Sequence, residues 1–136
     1  DGVLYQGFME KYSIGRSSLL GVKNWKRRFF VIGSYGPYAR LEYYKDGREG
    51  RPLGAACGDL QLDRHTTRIV THPSTLTHEK AGPIGQNICI IFYDRETGRE
   101  FRLLLRMESR EDHIQLSQVL TSIFSKVDLP SDYSCQ

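Results

Sequence analysis

Long hydrophobic runs are missing from this sequence. Its longest uninterrupted apolar stretch, Ile88–Tyr93, has six residues, whereas a transmembrane helix needs about 20. The sequence therefore predicts no membrane-spanning helix. The first residues also lack the basic and then apolar pattern of a signal peptide, so we expect none within this chain.

Cysteine is scarce in this sequence, and its spacing does not indicate a disulfide framework. The cysteines Cys57, Cys89 and Cys135 are odd in number and scattered, and the sequence has no Asn-x-Ser/Thr glycosylation site. This usage is not that of a disulfide-stapled secreted domain. It predicts a protein of the reducing cytoplasm.

Motifs for catalysis and metal binding are also missing. His65, His72, His78 and His113 have no metal-ligand spacing with cysteines or carboxylates. Neither a Gly-x-Ser-x-Gly nor a phosphate-binding-loop motif occurs. The glycine-rich segment Gly47–Gly54 contains Pro52 and lacks the Lys-Ser/Thr ending. We therefore expect no enzyme, no metal site and no cofactor.

The composition is that of one folded domain. The chain has 136 residues, of which 39% are hydrophobic and 11% aromatic, enough for a single core. We expect one domain over residues 1–136, with a core from about residue 7 to 127 and a flexible tail from 128 to 136.

Positive charge is concentrated in the first part of the chain. Residues 1–52 hold ten basic and five acidic residues, whereas residues 53–136 hold nine and eleven. Six cations and no acid fall between Lys11 and Arg28. Such a local positive field favours an anionic partner, either a lipid headgroup or a nucleic acid.

The hydrophobic periodicity predicts a series of strands followed by one helix. Alternating and β-branched segments separated by turn residues indicate seven strands. These are Gly7–Ile14, Asn24–Gly33, Arg40–Lys45, Leu53–Leu62, Thr66–Thr71, Gln86–Tyr93 and Glu100–Arg106. Ser109–Val127 changes to a helical period, with Ser109 as the predicted cap. The predicted turns are Gly33–Tyr38, Asp46–Gly50 and Asp94–Gly98.

Three segments resemble a known family. They are similar to segments of the pleckstrin homology (PH) domain: Gly7-Phe8-Met9-Glu10-Lys11, Lys23-Asn24-Trp25-Lys26-Arg27-Arg28-Phe29-Phe30-Val31-Ile32 and Leu41-Glu42-Tyr43-Tyr44-Lys45. The resemblance covers about Gly7 to Val127. Leu116 stands where the family's helix usually has tryptophan. The resemblance implies a mainly β fold: a seven-stranded antiparallel barrel or sandwich of two near-orthogonal sheets, capped by one C-terminal helix.

Strand parity gives a candidate site within that implied fold. Side chains alternate between the two faces of a strand, so Lys26 and Arg28 share the inward parity of Phe30. For the same reason, Lys11 shares the inward parity of Met9, and Tyr43 shares that of Leu41. Unpaired charges do not fit a closed core. We therefore expect these side chains at an open end of the barrel, where a phosphate would bind them.

The resemblance carries the family's phosphoinositide-binding positions onto five residues: Lys11, Lys23, Lys26, Arg28 and Tyr43. Arg28 offers a two-pronged donor, whereas the lysines act as point charges. A site of this size accepts a phosphoinositide or phosphatidic acid. Two structural interpretations remain open. The cations could form a solvated strand end, and Tyr43 could be a core aromatic.

The loop Gly15–Lys23 adds a second signal. Leu19 and Leu20 lie near its centre, between Arg16 and Lys23. Apolar residues flanked by cations are suited to entering the bilayer interface. The alternative is that the two leucines fold back on the barrel.

The sequence thus predicts a monomeric module that binds anionic phospholipid and lies peripherally on cytoplasmic membranes. The alternative function is protein interaction, in which a protein or peptide partner binds without specific lipid recognition. Nucleic acid is disfavoured because no RNA-binding signature occurs.

Overall fold

The computed structural model describes residues 2–14, 25–71 and 86–125. Within these ranges the chain forms nine strands and one helix. They are β1 (Gly2–Ile14), β2 (Lys26–Tyr35), β3 (Tyr38–Tyr44), β4 (Asp46–Arg48), β5 (Arg51–Leu53), β6 (Gly58–Leu62), β7 (Thr67–Val70), β8 (Asn87–Tyr93), β9 (Glu100–Arg106) and α1 (Arg110–Ser125). The fold is mainly β, as the sequence predicts.

Seven strands make one antiparallel sheet in the order β6-β3-β2-β1-β9-β8-β7. The thirteen-residue strand β1 joins its two halves. β1 pairs with β2 from Gly2 to Lys11 and with β9 from Glu10 to Ile14. The two sheets expected from the resemblance are therefore continuous through β1.

One apolar core lies against the inner face of both halves. Ile32 and Leu41 from one half pack in the same cluster as Ile90 and Leu103 from the other. Met9 and Phe30 are fully buried in it, so the inward parity assigned to these positions is confirmed. Since both halves bury their side chains in one cluster, the sheet curves around a common core.

The helix covers this core with a narrow stripe. Leu116 and Leu120 are fully buried, whereas Ile114, which lies off the predicted stripe, is 53% exposed. The predicted cap is present, because the Asp112 N–H donates to Ser109 Oγ at 3.1 Å. His113 is also buried on this stripe, which the apolar periodicity alone did not indicate. Val127 lies outside the described residues.

A small hairpin replaces the predicted turn at Asp46–Gly50. β4 and β5 pair as a two-stranded sheet, and Glu49 (φ 54°) and Gly50 (φ 72°) form its two-residue turn. The predicted strand Leu53–Leu62 is therefore wrong at its start, because Leu53 belongs to β5 and β6 begins at Gly58. Strands of three residues are too short to show a period.

Two other strands extend beyond their predicted ends. β1 begins at Gly2, and its early residue Tyr5 is 6% exposed and belongs to the core. β2 continues to Tyr35, so the first turn narrows to Gly36–Pro37. Cross-strand pairing extends these strands through glycine-containing segments that have little β propensity of their own.

Candidate functional site

Four of the predicted site residues lie where β1, β2 and β3 come together. Lys11 is on β1, Lys26 and Arg28 are on β2, and Tyr43 is on β3. Lys11 and Lys26 face each other directly across the β1–β2 ladder, and Arg28 faces Met9. We call these four residues the cationic end.

Tyr43 forms the floor of the cationic end. Its ring is 7% exposed and lies 5.4 Å from the ring of Phe30, centroid to centroid. The Lys11 ammonium sits over the outer side of this ring, with Nζ 4.7 Å from the centroid. Tyr43 is thus a core aromatic that also holds a cation by a cation–π contact.

Lys11 is positioned by two contacts within the described residues. Besides the Tyr43 ring, its ammonium lies 3.5 Å from Ser13 Oγ, the next residue of the same face. The side chain is half-buried. A half-buried ammonium held over an aromatic ring is partly organised before any anion arrives, which lowers the entropy lost on binding.

Lys26 and Arg28 complete the cluster. Lys26 is exposed and Arg28 half-buried, and the Arg28 Nη1 donates to the Arg27 carbonyl oxygen at 2.9 Å. Among the described residues, neither side chain has a carboxylate oxygen within 4.0 Å. Like charges directly opposite on a sheet repel, so the Lys11–Lys26 pairing costs free energy that a bound anion would offset.

On the opposite face of the sheet, the cations are paired with acids. Arg27 bonds Glu108 at 3.0 Å, and Arg106 bonds Glu10 at 3.0 Å. Each guanidinium also stacks on an aromatic ring: Arg27 lies 3.8 Å from the centroid of Phe8, and Arg106 lies 4.1 Å from that of Trp25. These two outer arginines are paired with acids within the fold, whereas Lys26 and Arg28 on the inner face have no carboxylate partner among the described residues.

The remaining predicted residues lie outside the described part of the chain. They are Lys23, Leu19 and Leu20. The segment that carries them connects the end of β1, at Ile14, to β2, at Lys26. It therefore joins the two strand ends beside the cationic end.

The sequence reasoning missed Gly58, which makes room for the Tyr43 ring. Gly58 pairs with Tyr43 across the β3–β6 ladder, and a Cβ built on it would come 2.2 Å from that ring. The Cys57 N–H next to it donates to the Tyr43 carbonyl oxygen at 2.7 Å. A single glycine at the first position of a strand gives no sequence signal of this role.

The described residues also bear on the other expectations. They contain no group of three metal-ligating side chains. Cys57 and Cys89 are both free thiols, and burial raises the pKa of the Cys89 thiol to about 11, which makes it a poor nucleophile. Among the same residues, no helix is long and apolar enough to cross a bilayer.

Comparison with known proteins adds no relative to this picture. A scan against family models gives no match to the chain, and no curated protein is significantly similar in sequence.

Proposed function

We propose that this chain is a PH-like domain that recruits a protein to membranes by binding the phosphorylated headgroup of an anionic phospholipid. The ligand class is a lipid phosphomonoester, as carried by phosphoinositides and phosphatidic acid. The protein acts as a peripheral module on cytoplasmic membrane surfaces and performs no catalysis.

One observation carries the proposal. Three cations, Lys11, Lys26 and Arg28, gather on the core-facing side of adjacent strands, and the last two have no carboxylate partner among the described residues. Arg27 and Arg106 on the outer face of the sheet are each paired with a glutamate. Because Lys26 and Arg28 on the inner face are not, this arrangement suits an external anion. Each basic residue near an anionic leaflet contributes about 1 kcal/mol.

The geometry suggests an order of steps for membrane binding. The positive field of the first part of the chain attracts the protein to the membrane. Lys11 and Lys26 then contact phosphate as point charges, and Lys11 is already held over the Tyr43 ring. Arg28 donates two hydrogen bonds to the phosphate. Leu19 and Leu20, in the connecting segment, enter the bilayer interface and add apolar burial.

Vesicle co-sedimentation at physiological salt tests the proposal. Vesicles are neutral, or contain phosphatidylserine, phosphatidic acid or a single phosphoinositide at matched total charge. We expect binding to a phosphomonoester lipid to exceed binding to phosphatidylserine. Equal binding to every anionic vesicle would reduce the site to a non-specific surface, and binding to none would overturn the proposal.

Two variants locate the contacts. The double substitution Lys26→Glu with Arg28→Glu abolishes vesicle binding while the domain stays folded, as judged by circular dichroism. Leu19→Ser with Leu20→Ser weakens vesicle binding but leaves the affinity for a soluble headgroup nearly unchanged. Equal losses in both assays would argue against insertion of the leucines.

A further inference from the structure

A cavity of about 910 Å³ lies beside the second half of α1, apart from the cationic end. Its walls come from four parts of the chain: the start of β1, the β2–β3 hairpin, the turn between β6 and β7, and α1. Its volume is within the range of small-molecule sites. None of the four residues of the cationic end lines it, so the headgroup proposal leaves this cavity without a role.

Small residues on the inner face of the sheet make room for the cavity. Gly2 pairs with Ser34, and Ser34 pairs with Ala39, so three small residues follow one another across β1, β2 and β3. Residues directly opposite on a sheet share a face, and Ala39 belongs to the apolar core. All three positions therefore lie on the inner face, where they leave space between the sheet and α1.

The floor of the cavity is mainly aliphatic. Leu62, which is 4% exposed, pairs with Ala39 across the β3–β6 ladder. Val119 and Ile123 on α1 are partly buried and pack against the same core from the helix side. An apolar cavity of this kind holds water poorly and gains free energy when an apolar group fills it.

The mouth of the cavity combines apolar and uncharged polar groups. Leu4 is 42% exposed and Tyr38 is 56% exposed, and both line the cavity. Gln115 and Gln118 on α1 also line it, and their amides offer neutral donors and acceptors. Such a mouth suits a ligand with an apolar body and a polar end.

The charges of the lining balance one another. With histidine neutral, the described lining contains one acidic and one basic residue, Asp63 and Arg64, which are adjacent in the chain. The Asp63 carboxylate already accepts the His65 N–H at 2.9 Å. A charged ligand would be desolvated here without a dedicated counterion, which costs free energy. The lining therefore favours an uncharged ligand.

We propose that this cavity binds an uncharged aliphatic small molecule. The aliphatic chain packs against Val119 and Ile123, and the polar end lies at the mouth beside Gln115 and Gln118. Walls from four segments suit a small molecule, whereas a bound helix or extended peptide needs a groove that is open at both ends. This second ligand is independent of the phosphate at the cationic end.

The first test titrates the full chain with hexanol and decanol and follows the amide signals by NMR. Each additional buried CH₂ group strengthens binding, so decanol should bind at least tenfold more tightly than hexanol. The largest shifts should fall at Leu4, Ala39 and Val119. Failure of decanol to bind, or shifts concentrated elsewhere in the domain, would overturn the proposal.

The second test compares three ten-carbon probes that differ only in the end group. Decanol is uncharged, decanoate is an anion and decylammonium is a cation, and each is used below its micelle concentration. Both ions should bind at least threefold more weakly than decanol because the cavity offers them no counterion. Tighter binding of either ion than of decanol would contradict an uncharged ligand.

Variants of α1 locate the binding. Gln118→Trp places a large ring at the mouth and should weaken decanol binding at least tenfold. Ile114→Trp changes an exposed position of the same helix that does not line the cavity, and should alter decanol binding less than threefold. Undiminished binding by Gln118→Trp would refute the location. A dimer that binds no decanol and that Gln118→Trp dissociates would assign the cavity to a second copy and overturn the proposal.

The two ligand sites are separated by a reciprocal measurement. Gln118→Trp should bind vesicles within threefold of the unchanged chain. Lys26→Glu with Arg28→Glu should lose vesicle binding and keep its affinity for decanol. Loss of decanol binding in this folded double variant would show that the cavity is not an independent site.

Discussion

Both faces of the sheet formed by β1, β2 and β9 carry cations, but the two faces differ in whether these cations are paired with acids. On the outer face, Arg27 and Arg106 each bond a glutamate at 3.0 Å and stack on an aromatic ring. On the inner face, Lys26 and Arg28 lack a carboxylate partner among the described residues. Charge counts cannot distinguish these faces. The difference lies in whether the fold itself supplies the counterion.

The largest expected effect comes from neutralising cations on one face at a time. Lys26→Gln with Arg28→Gln removes two charges that the proposed function places near the membrane, each worth about 1 kcal/mol. We therefore expect vesicle affinity to fall roughly 30-fold. The matched outer variant, Arg27→Gln with Arg106→Gln, removes the same charge and should change affinity less than threefold. Isothermal titration with vesicles measures both. A similar loss for the two variants would erase the distinction between the faces.

A smaller effect on vesicle binding is expected from replacing one glycine with alanine on each face of the sheet. Gly58→Ala forces a Cβ against the Tyr43 ring, and Gly47→Ala forces one to within 2.5 Å of the Phe29 ring. Each overpacking should lower the free energy of unfolding by about 1–3 kcal/mol, measured by urea denaturation. Only Gly58→Ala should also weaken vesicle binding, because it displaces the ring beneath Lys11. Equal binding by both folded variants would show that the position of Tyr43 does not matter to the site.

The smallest effect tests whether the outer arginines can be made available. Glu10→Gln with Glu108→Gln removes both outer counterions. The stability cost is about 0–1 kcal/mol for the exposed Arg27–Glu108 pair and larger for the part-buried Arg106–Glu10 pair. The freed charges lie on the outer face and are screened beyond about 8 Å at physiological salt, so vesicle affinity should rise less than threefold. A tenfold rise would mean that pairing alone, and not position, decides which cations bind lipid.

Sequence reasoning located the strands with strong alternation and the inner parity of the cationic end. β9 was predicted with its observed bounds, and Phe30 and Met9 were placed correctly in the core. The β4–β5 hairpin was missed because its strands have three residues each. Gly47 in this hairpin lies close to the Phe29 ring, and local sequence does not encode that contact.

The pairing of charges was the part of the site least accessible to prediction. Arg27 and Glu108 are 81 positions apart, and Arg106 and Glu10 are 96 apart. Their contacts exist only because β1 brings β2 and β9 together. Likewise, the room that Gly58 leaves for Tyr43 depends on the register between β3 and β6.

The position of β1 in the sheet also sets the order in which the protein can become functional. Lys11 pairs with Lys26 on β2 and with Leu105 on β9, so its strand is complete only after nearly the whole domain has left the ribosome. The hairpin of β1 and β2 can form early, but contacts between distant segments form late because closing a long loop is entropically costly. A nascent chain that ends before β9 would therefore hold Lys11 beside Lys26 but would lack the strand that pairs with Lys11 on its other side.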